Sequence, residues 1–256
     1  GRGGDKLPAG RQRLLEDRIR EHSDHRRAAP AGGRCETDAA AWMEYLRLVT
    51  RDLPAGCLEG LRVVLDCAHG SASEFAPDAF ERAGARVEAI NCDADGARIN
   101  VDCGSTEPDA LKRAVLLQHA DLGVAFDGDA DRAVLVDHEG AVVDGDGSKY
   151  VLAMDRHRRG QLDPPLVIGT VMNNYGLERA LTAEGIALER TPVGDRHVVE
   201  RMRETGAWLG GEQSGHIIFR ETMIGDGIYT ALRLCEVVAR SGRSLAELSA
   251  PVKKIP

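Results

Sequence analysis

The sequence predicts an α/β protein built from two similar α/β units in tandem, and three observations carry that expectation. Short apolar, β-branched runs at 61–65, 122–126 and 166–171 alternate with stretches of helical periodicity closed by glycine, the pattern of strands and helices in an open sheet. The order strand, helix, strand, helix, strand, strand occurs between residues 61 and 143 and again between 166 and 219, without residue-level repetition. In each unit the third strand ends in a polar, glycine-containing loop, Asp127–Arg132 and Gly211–His216, and open α/β sheets bind ligands at the carboxyl ends of their strands.

Residues 11–26 read as a charged helix, and Ala28-Ala-Pro-Ala-Gly-Gly33 after them reads as a linker. Thr37 is placed to cap a second helix that runs to about Leu53. The first unit follows with a strand at 61–65, a helix at 75–83 stopped by Gly84, a strand at 85–90, a helix at 108–118 entered through Thr106, and a strand at 122–126. A hairpin with strands at 133–136 and 141–143 and a helix from about Ser148 complete it. After Gln161-Leu-Asp-Pro-Pro165 come a strand at 166–171, a helix at 175–184, a strand at 186–191 and a helix at 196–205 closed by Gly206. Strands at 207–210 and 216–219 and a long helix at 227–240 end the second unit.

The composition, 43% apolar and 29% charged over 256 residues, is that of a globular chain long enough for two domains. A net charge of -8 argues against a nucleic-acid surface, which needs a basic stripe, and leaves small anionic ligands open wherever arginines cluster. No apolar run reaches the length of about 18 residues that a membrane helix requires, and the first residues do not read as a signal peptide. A cytoplasmic location is the expectation. The six cysteines contain no CxxC pair, which favours buried thiols over zinc.

The chemistry is concentrated in Phe126-Asp-Gly-Asp-Ala-Asp-Arg132. Asp127, Asp129 and Asp131 repel one another unless a cation neutralises them, and hard oxygen ligands suit Mg²⁺. An EF-hand is excluded by Arg132 where position 6 needs glycine and by His138 where position 12 needs glutamate. A strand followed by Asp-x-Asp is also similar to the haloacid-dehalogenase phosphatases, but there the third aspartate and Arg132 have no role. Glu212, Ser214 and His216 put an acceptor, a hydroxyl and an imidazole on one loop, a set suited to paired sugar hydroxyls, with His216 able to exchange a proton near neutrality. Within Thr191-Pro-Val-Gly-Asp-Arg196, Asp195 is placed either to cap a helix or to meet a ligand. Asp144-Gly-Asp-Gly147 reads as a turn with a helix cap, and His69-Gly-Ser71 as a strand-to-helix turn without an acidic partner for a nucleophile.

Taken together, Asp66-Cys-Ala-His-Gly70, Cys103-Gly-Ser105, Ala120–Arg132, Val143–Asp146, Gly169–Asn174, Thr191–Arg196, Gly211–His216 and Gly225-Asp-Gly227 resemble the α-D-phosphohexomutase superfamily, and within it the branch acting on glucosamine phosphates. The resemblance implies three-layer α/β/α units with mixed sheets. It also implies a division into the tail of a first domain (1–33), a metal-binding domain (34–160) and a sugar-binding domain (161–256). It implies an isomerase that interconverts glucosamine 6-phosphate and glucosamine 1-phosphate through a phosphoserine and a bisphosphate. Mg²⁺ is then held by Asp127, Asp129 and Asp131. Arg132 and His216 become the catalytic candidates, with His216 as general base. Thr191, Gly194, Asp195, Arg196, Glu212 and Ser214 become the substrate-binding candidates. The expected partner is a small hexosamine phosphate, with neither nucleic acid nor membrane. The family's Ser-His-Asn-Pro type loop and its Arg-x-Ser-Gly-Thr-Glu type phosphate loop have no match here, so the expectation is that these residues do not turn over alone. A phosphomannomutase or phosphoglucomutase, and a non-catalytic fragment that binds Mg²⁺ or sugar phosphate, remain alternatives.

Overall fold

A computed structural model describes residues 7, 9–23 and 38–256. The chain divides into two compact units, 1–42 and 43–256. In the first, α1 (Ala9–Ser23) leaves Leu14, Leu15 and Ile19 exposed. Its expected extension to Arg26, the linker at 28–33 and Thr37 lie outside the described residues. The helix α2 (Ala39–Thr50) opens at Asp38, whose carboxylate accepts the N–H groups of Ala40 and Ala41 at 2.9 and 3.2 Å.

Both sheets belong to the second unit. The first has strands β1 (Arg62–Asp66), β2 (Arg86–Ile90), β3 (Leu122–Phe126), β4 (Ala133–Asp137) and β5 (Val142–Val143) in the order β2-β1-β3-β4-β5. The first three run parallel, and β4 and β5 are antiparallel. The second has β6 (Leu166–Thr170), β7 (Ala187–Thr191), β8 (Leu209–Gly211) and β9 (Ile217–Phe219) in the order β7-β6-β8-β9, with only β9 antiparallel. The tandem organisation read from element order therefore extends to topology: the first strand is central, the second outer, the third parallel on the other side, and the fourth antiparallel beyond it.

Helices cover both faces of each sheet. On one face of the first sheet, α4 (Asp109–Gln118) packs Leu111 and Val115 against Val64, Ala125 and Val136. The other face meets α3 (Ala72–Arg82) and α8 (Gly227–Ser241). In the second sheet α7 (Asp195–Thr205) packs Val198 and Met202 on Ile168 and Ile218, opposite α6 (Tyr175–Ala183) and α5 (Gly145–Arg158). Among the described residues no helix is long and apolar enough to cross a membrane.

Local chemistry accounts for the differences from expectation. α3 begins at Ala72 rather than Phe75 and tolerates Pro77, because the Ser73 carbonyl, which an N–H at position 77 would have met, takes the Cys92 thiol at 3.2 Å. Thr106 does not cap α4; Pro108 holds that position, without a side-chain bond. α5 starts at Gly145, since the Asp144 carboxylate accepts the N–H groups of Asp146 and Gly147. Gly194, not Asp195, is the cap residue of α7. A short further helix, α9 (Leu245–Ser249), opens on a Ser244–Glu247 capping box whose Ser-x-x-Glu spacing is legible in the sequence.

Candidate active site

The carboxyl end of β3 delivers Phe126 from a fully buried strand into the loop 127–132. A tight turn places Ala130 at φ +57° and bonds its N–H to the Asp127 carbonyl at 3.0 Å. A left-handed alanine is a strained conformation, of the kind concentrated at functional sites. The turn is clamped from two sides: Ser71 N–H donates to the Gly128 carbonyl at 2.9 Å, and Gly227 N–H to the Ala130 carbonyl at 2.8 Å.

Folded this way, Asp127, Asp129 and Asp131 each offer an oxygen within 4.8 Å of the others, from a buried, an exposed and a half-buried residue respectively. Asp127 accepts the Arg132 N–H at 3.1 Å and pairs with Arg132 Nε at 2.8 Å. Burial nevertheless pushes its pKa up to about 6, against the relief from the Arg132 N–H and with a further upward push from the Asp131 charge. Asp131 Oδ1 is buried without a hydrogen-bond donor, with Arg132 Nε only at ion-pair distance, 3.5 Å. A carboxyl under strain from burial beside an orphaned carboxylate oxygen is a donor set that fits a divalent cation.

The carboxyl end of β8 delivers the second loop. His216 is buried with Nδ1 at 3.2 Å from Asp131 Oδ2 and Nε2 at 3.9 Å from Asp195 Oδ2. Its Nε2 has no hydrogen-bond partner. The loops also touch through Ala133 N–H and the Gly215 carbonyl, 3.2 Å apart. Glu212 Oε1 accepts the Gly194 N–H at 3.0 Å, which draws the 191–196 segment to the same place.

A cleft of about 490 Å³ lies between the sheets' carboxyl ends, lined by Arg132, Glu212 and Ser214 together with Ser105, Thr106, Asp144, Thr170, Met172, Val193, Gln213 and Lys254. Its volume is in the range of small-molecule sites. Of the residues singled out in the sequence, Arg132, Glu212 and Ser214 stand in its wall. The aspartate trio is joined to it through Arg132. Thr191 is buried and donates its hydroxyl to the Gly169 and Pro192 carbonyls. Gly194 holds Glu212, Asp195 faces His216, Arg196 is half-buried, and His216 lies behind the cleft between two carboxylates. The sequence offers no ligand-facing role for Ser105 or Lys254, and reads Thr106 only as the entry to a helix. Ser105 and Thr106 follow directly on a glycine in the Cys103-Gly-Ser105 motif, which was the available signal; Lys254, paired with Asp144 at 2.9 Å, carried none.

Comparison with known proteins finds one family along most of the chain. Residues 43–140 match the family model for the phosphoglucomutase/phosphomannomutase α/β/α domain II, and residues 144–255 the model for α/β/α domain III. A phosphoglucosamine mutase of Paenarthrobacter aurescens is 46% identical over all of the chain, which covers 56% of that protein. One from Syntrophomonas wolfei is 50% identical over 78% of the chain and 44% of its own length. Among solved structures, a phosphoglucomutase/phosphomannomutase family protein of Burkholderia thailandensis superposes with a TM-score of 0.77 at 24% identity, over 98% of the chain and 54% of that protein. An Aspergillus fumigatus N-acetylphosphoglucosamine mutase, solved with GlcNAc-6P and magnesium, superposes with a TM-score of 0.62 at 20% identity, over 85% of the chain and 52% of its own. The chain thus spans about half the length of the relatives it matches.

Proposed function

Because the chain belongs to the phosphoglucomutase/phosphomannomutase family, we propose that it forms the metal-binding and sugar-binding part of a phosphoglucosamine mutase, a cytoplasmic phosphotransferase interconverting glucosamine 6-phosphate and glucosamine 1-phosphate. The observation that carries the proposal is the meeting of two chemically different loops at one cleft, Arg132 of the first sheet, paired behind it with Asp127 and Asp131, and Glu212 with Ser214 of the second.

In this reading Asp127, Asp129 and Asp131 hold Mg²⁺, and the ion when bound draws charge from the phosphoryl oxygens during transfer. Arg132, lying between the trio and the cleft, neutralises a phosphoryl oxygen. Glu212, with one oxygen already fixed by Gly194, accepts from the sugar hydroxyls, and Ser214 donates or accepts beside it. Thr191, Gly194, Asp195 and Arg196 form the segment that backs this contact. His216 is the candidate proton acceptor for the hydroxyl that receives the phosphoryl group, its ring set between Asp131 and Asp195. The phosphoryl-carrying serine of the family pattern has no match in these residues, so the 256 residues bind and orient but do not turn over alone.

Calorimetric titration with glucosamine, glucose and mannose 6-phosphates in the presence of Mg²⁺ tests the reading. The expected result is a preference of about tenfold for the glucosamine compound, the scale on which a partly exposed site discriminates one substituent. Equal or tighter binding of mannose 6-phosphate would reassign the chain to a phosphomannomutase, and release of inorganic phosphate from any of the three would favour a phosphatase. In a protein that joins these residues to a phosphoryl-carrying serine, His216→Ala should abolish turnover while leaving sugar-phosphate binding in place.

A further inference from the structure

Lys149 is fully buried in the second turn of α5 and was given no role by any motif. A lysine in that position is expensive, since an ammonium loses its hydration on burial. Burial brings its pKa down to about 8, against the opposing charges of Asp146, Asp144 and Glu212. Its Nζ donates to the Gly211 carbonyl at 3.1 Å and lies 3.3 Å from Asp146 Oδ1.

Asp146 in turn accepts the Asn173 side-chain amide at 2.6 Å and the Asn174 N–H at 2.8 Å. One buried ammonium–carboxylate pair therefore reaches two loops of the second sheet at once, the one after β6 and the one after β8. Gly211 is the last residue of β8, and the next residue is Glu212, whose carboxylate stands in the cleft. Gly194 fixes the far end of that side chain, while the Gly211 carbonyl fixes where its backbone begins. The first turn of α5 braces the same loop through Gly145 N–H and the Gln213 carbonyl, 2.9 Å apart.

We propose that Lys149 is a positioning residue of the sugar-facing loop: by tying the Gly211 carbonyl to Asp146 it sets where Glu212 and Ser214 stand, and so tunes the affinity of the cleft for a hexose phosphate. The inference rests on the function proposed above but is read out separately from it. A neutral apolar side chain of similar length would fill the same volume and leave both the Gly211 carbonyl and the Asp146 carboxylate without the ammonium, so Lys149→Met removes both ends of the tie while keeping the packing.

The test compares the wild-type chain with Lys149→Met and Lys149→Arg by amide hydrogen exchange, by glucosamine 6-phosphate titration and by Mg²⁺ titration. In Lys149→Met the Glu212 and Gly215 amides, which bond to the His216 and Glu212 carbonyls, should exchange about tenfold faster, and the dissociation constant for glucosamine 6-phosphate should rise about tenfold, the worth of one buried hydrogen bond. Mg²⁺ affinity and exchange within β6 should not change. Lys149→Arg, which keeps a charged donor, should recover part of both effects, and it carries the test alone if the methionine variant does not fold: exchange that is unchanged in β6 but raised at Glu212 and Gly215 supports the proposal, and exchange unchanged at all of them overturns it. Unchanged loop exchange and unchanged sugar-phosphate affinity in Lys149→Met would overturn it, as would a uniform rise in exchange across β6 and the loop. Absence of glucosamine 6-phosphate binding in the wild type would sink the proposed function, while the exchange comparison would still decide the positioning role.

Discussion

Asp127 shows how burial and ligand binding oppose each other at a single carboxyl. Its folded pKa, about 6, lies above the ordinary 3.8, so the folded state binds the proton more tightly than the unfolded one. Without metal, the contribution of this group to stability is therefore greatest below pH 4 and is lost as pH rises through about 6. A divalent cation competes with that same proton. We expect Mg²⁺ to raise the melting temperature at pH 7.5 and to do so much less at pH 5, with calorimetric affinity falling by up to about tenfold per pH unit below 6. Asp129, exposed in the loop, can be changed without disturbing the core: Asp129→Asn should keep the melting temperature of the metal-free chain and lower Mg²⁺ affinity by about tenfold or more. An unchanged affinity would remove the metal from these three residues.

At the level of elements, the two sheets solve one packing problem in the same way. Gly123 in β3 and Gly210 in β8 occupy equivalent third strands, each beneath the helix that precedes it. A Cβ at Gly123 would stand 2.6 Å from Val115 and 2.7 Å from Leu111 of α4, and one at Gly210 would stand 2.6 Å from Met202 and 2.7 Å from Val198 of α7. Both helices approach their strands closely because no side chain intervenes. Gly123→Ala is expected to cost about 1–3 kcal/mol through overpacking, read as a lower denaturant midpoint, and Gly210→Ala less, because the Met202 thioether can swing aside. Equal and negligible effects would mean that the helices are free to retreat. The order and kind of these elements were legible in the sequence, since periodicity and glycine stops are local signals. Their first residues were less so: the cap at Asp144 was legible in its Asp-Gly-Asp-Gly turn, whereas Asp38 and Gly194 took cap positions by side-chain or backbone geometry that neighbouring polar residues were equally able to supply.

For the second unit as a whole, the seam between the sheets is the point on which the site depends. Gly145, at the start of α5, lies under the 211–216 loop, where a Cβ would stand 2.1 Å from the Glu212 carbonyl oxygen and 2.8 Å from Gly215 N. Backbone on that side cannot rotate away as a side chain can. Gly145→Ala should therefore displace the 211–216 loop from the first sheet, weaken glucosamine 6-phosphate binding at least about tenfold, and leave Mg²⁺ binding intact. Retained sugar-phosphate affinity would show that the two loops do not act as one site.

The sequence by itself determined the α/β class, the repeated element order, the aspartate trio and the paired loops, because each is written in contiguous residues whose spacing, turn chemistry and charge act over a few positions. Only the tertiary structure decided that His216 stands between Asp131 and Asp195 rather than in the cleft wall, that Glu212 is held by Gly194, and that Lys149 reaches Gly211 across 62 positions of chain. The last of these contacts follows from how α5 packs against β8 of one sheet and β4 and β5 of the other, and burial then sets its energy: the same lysine on a surface helix would be an ordinary solvated charge, and enclosed here it holds a loop in place.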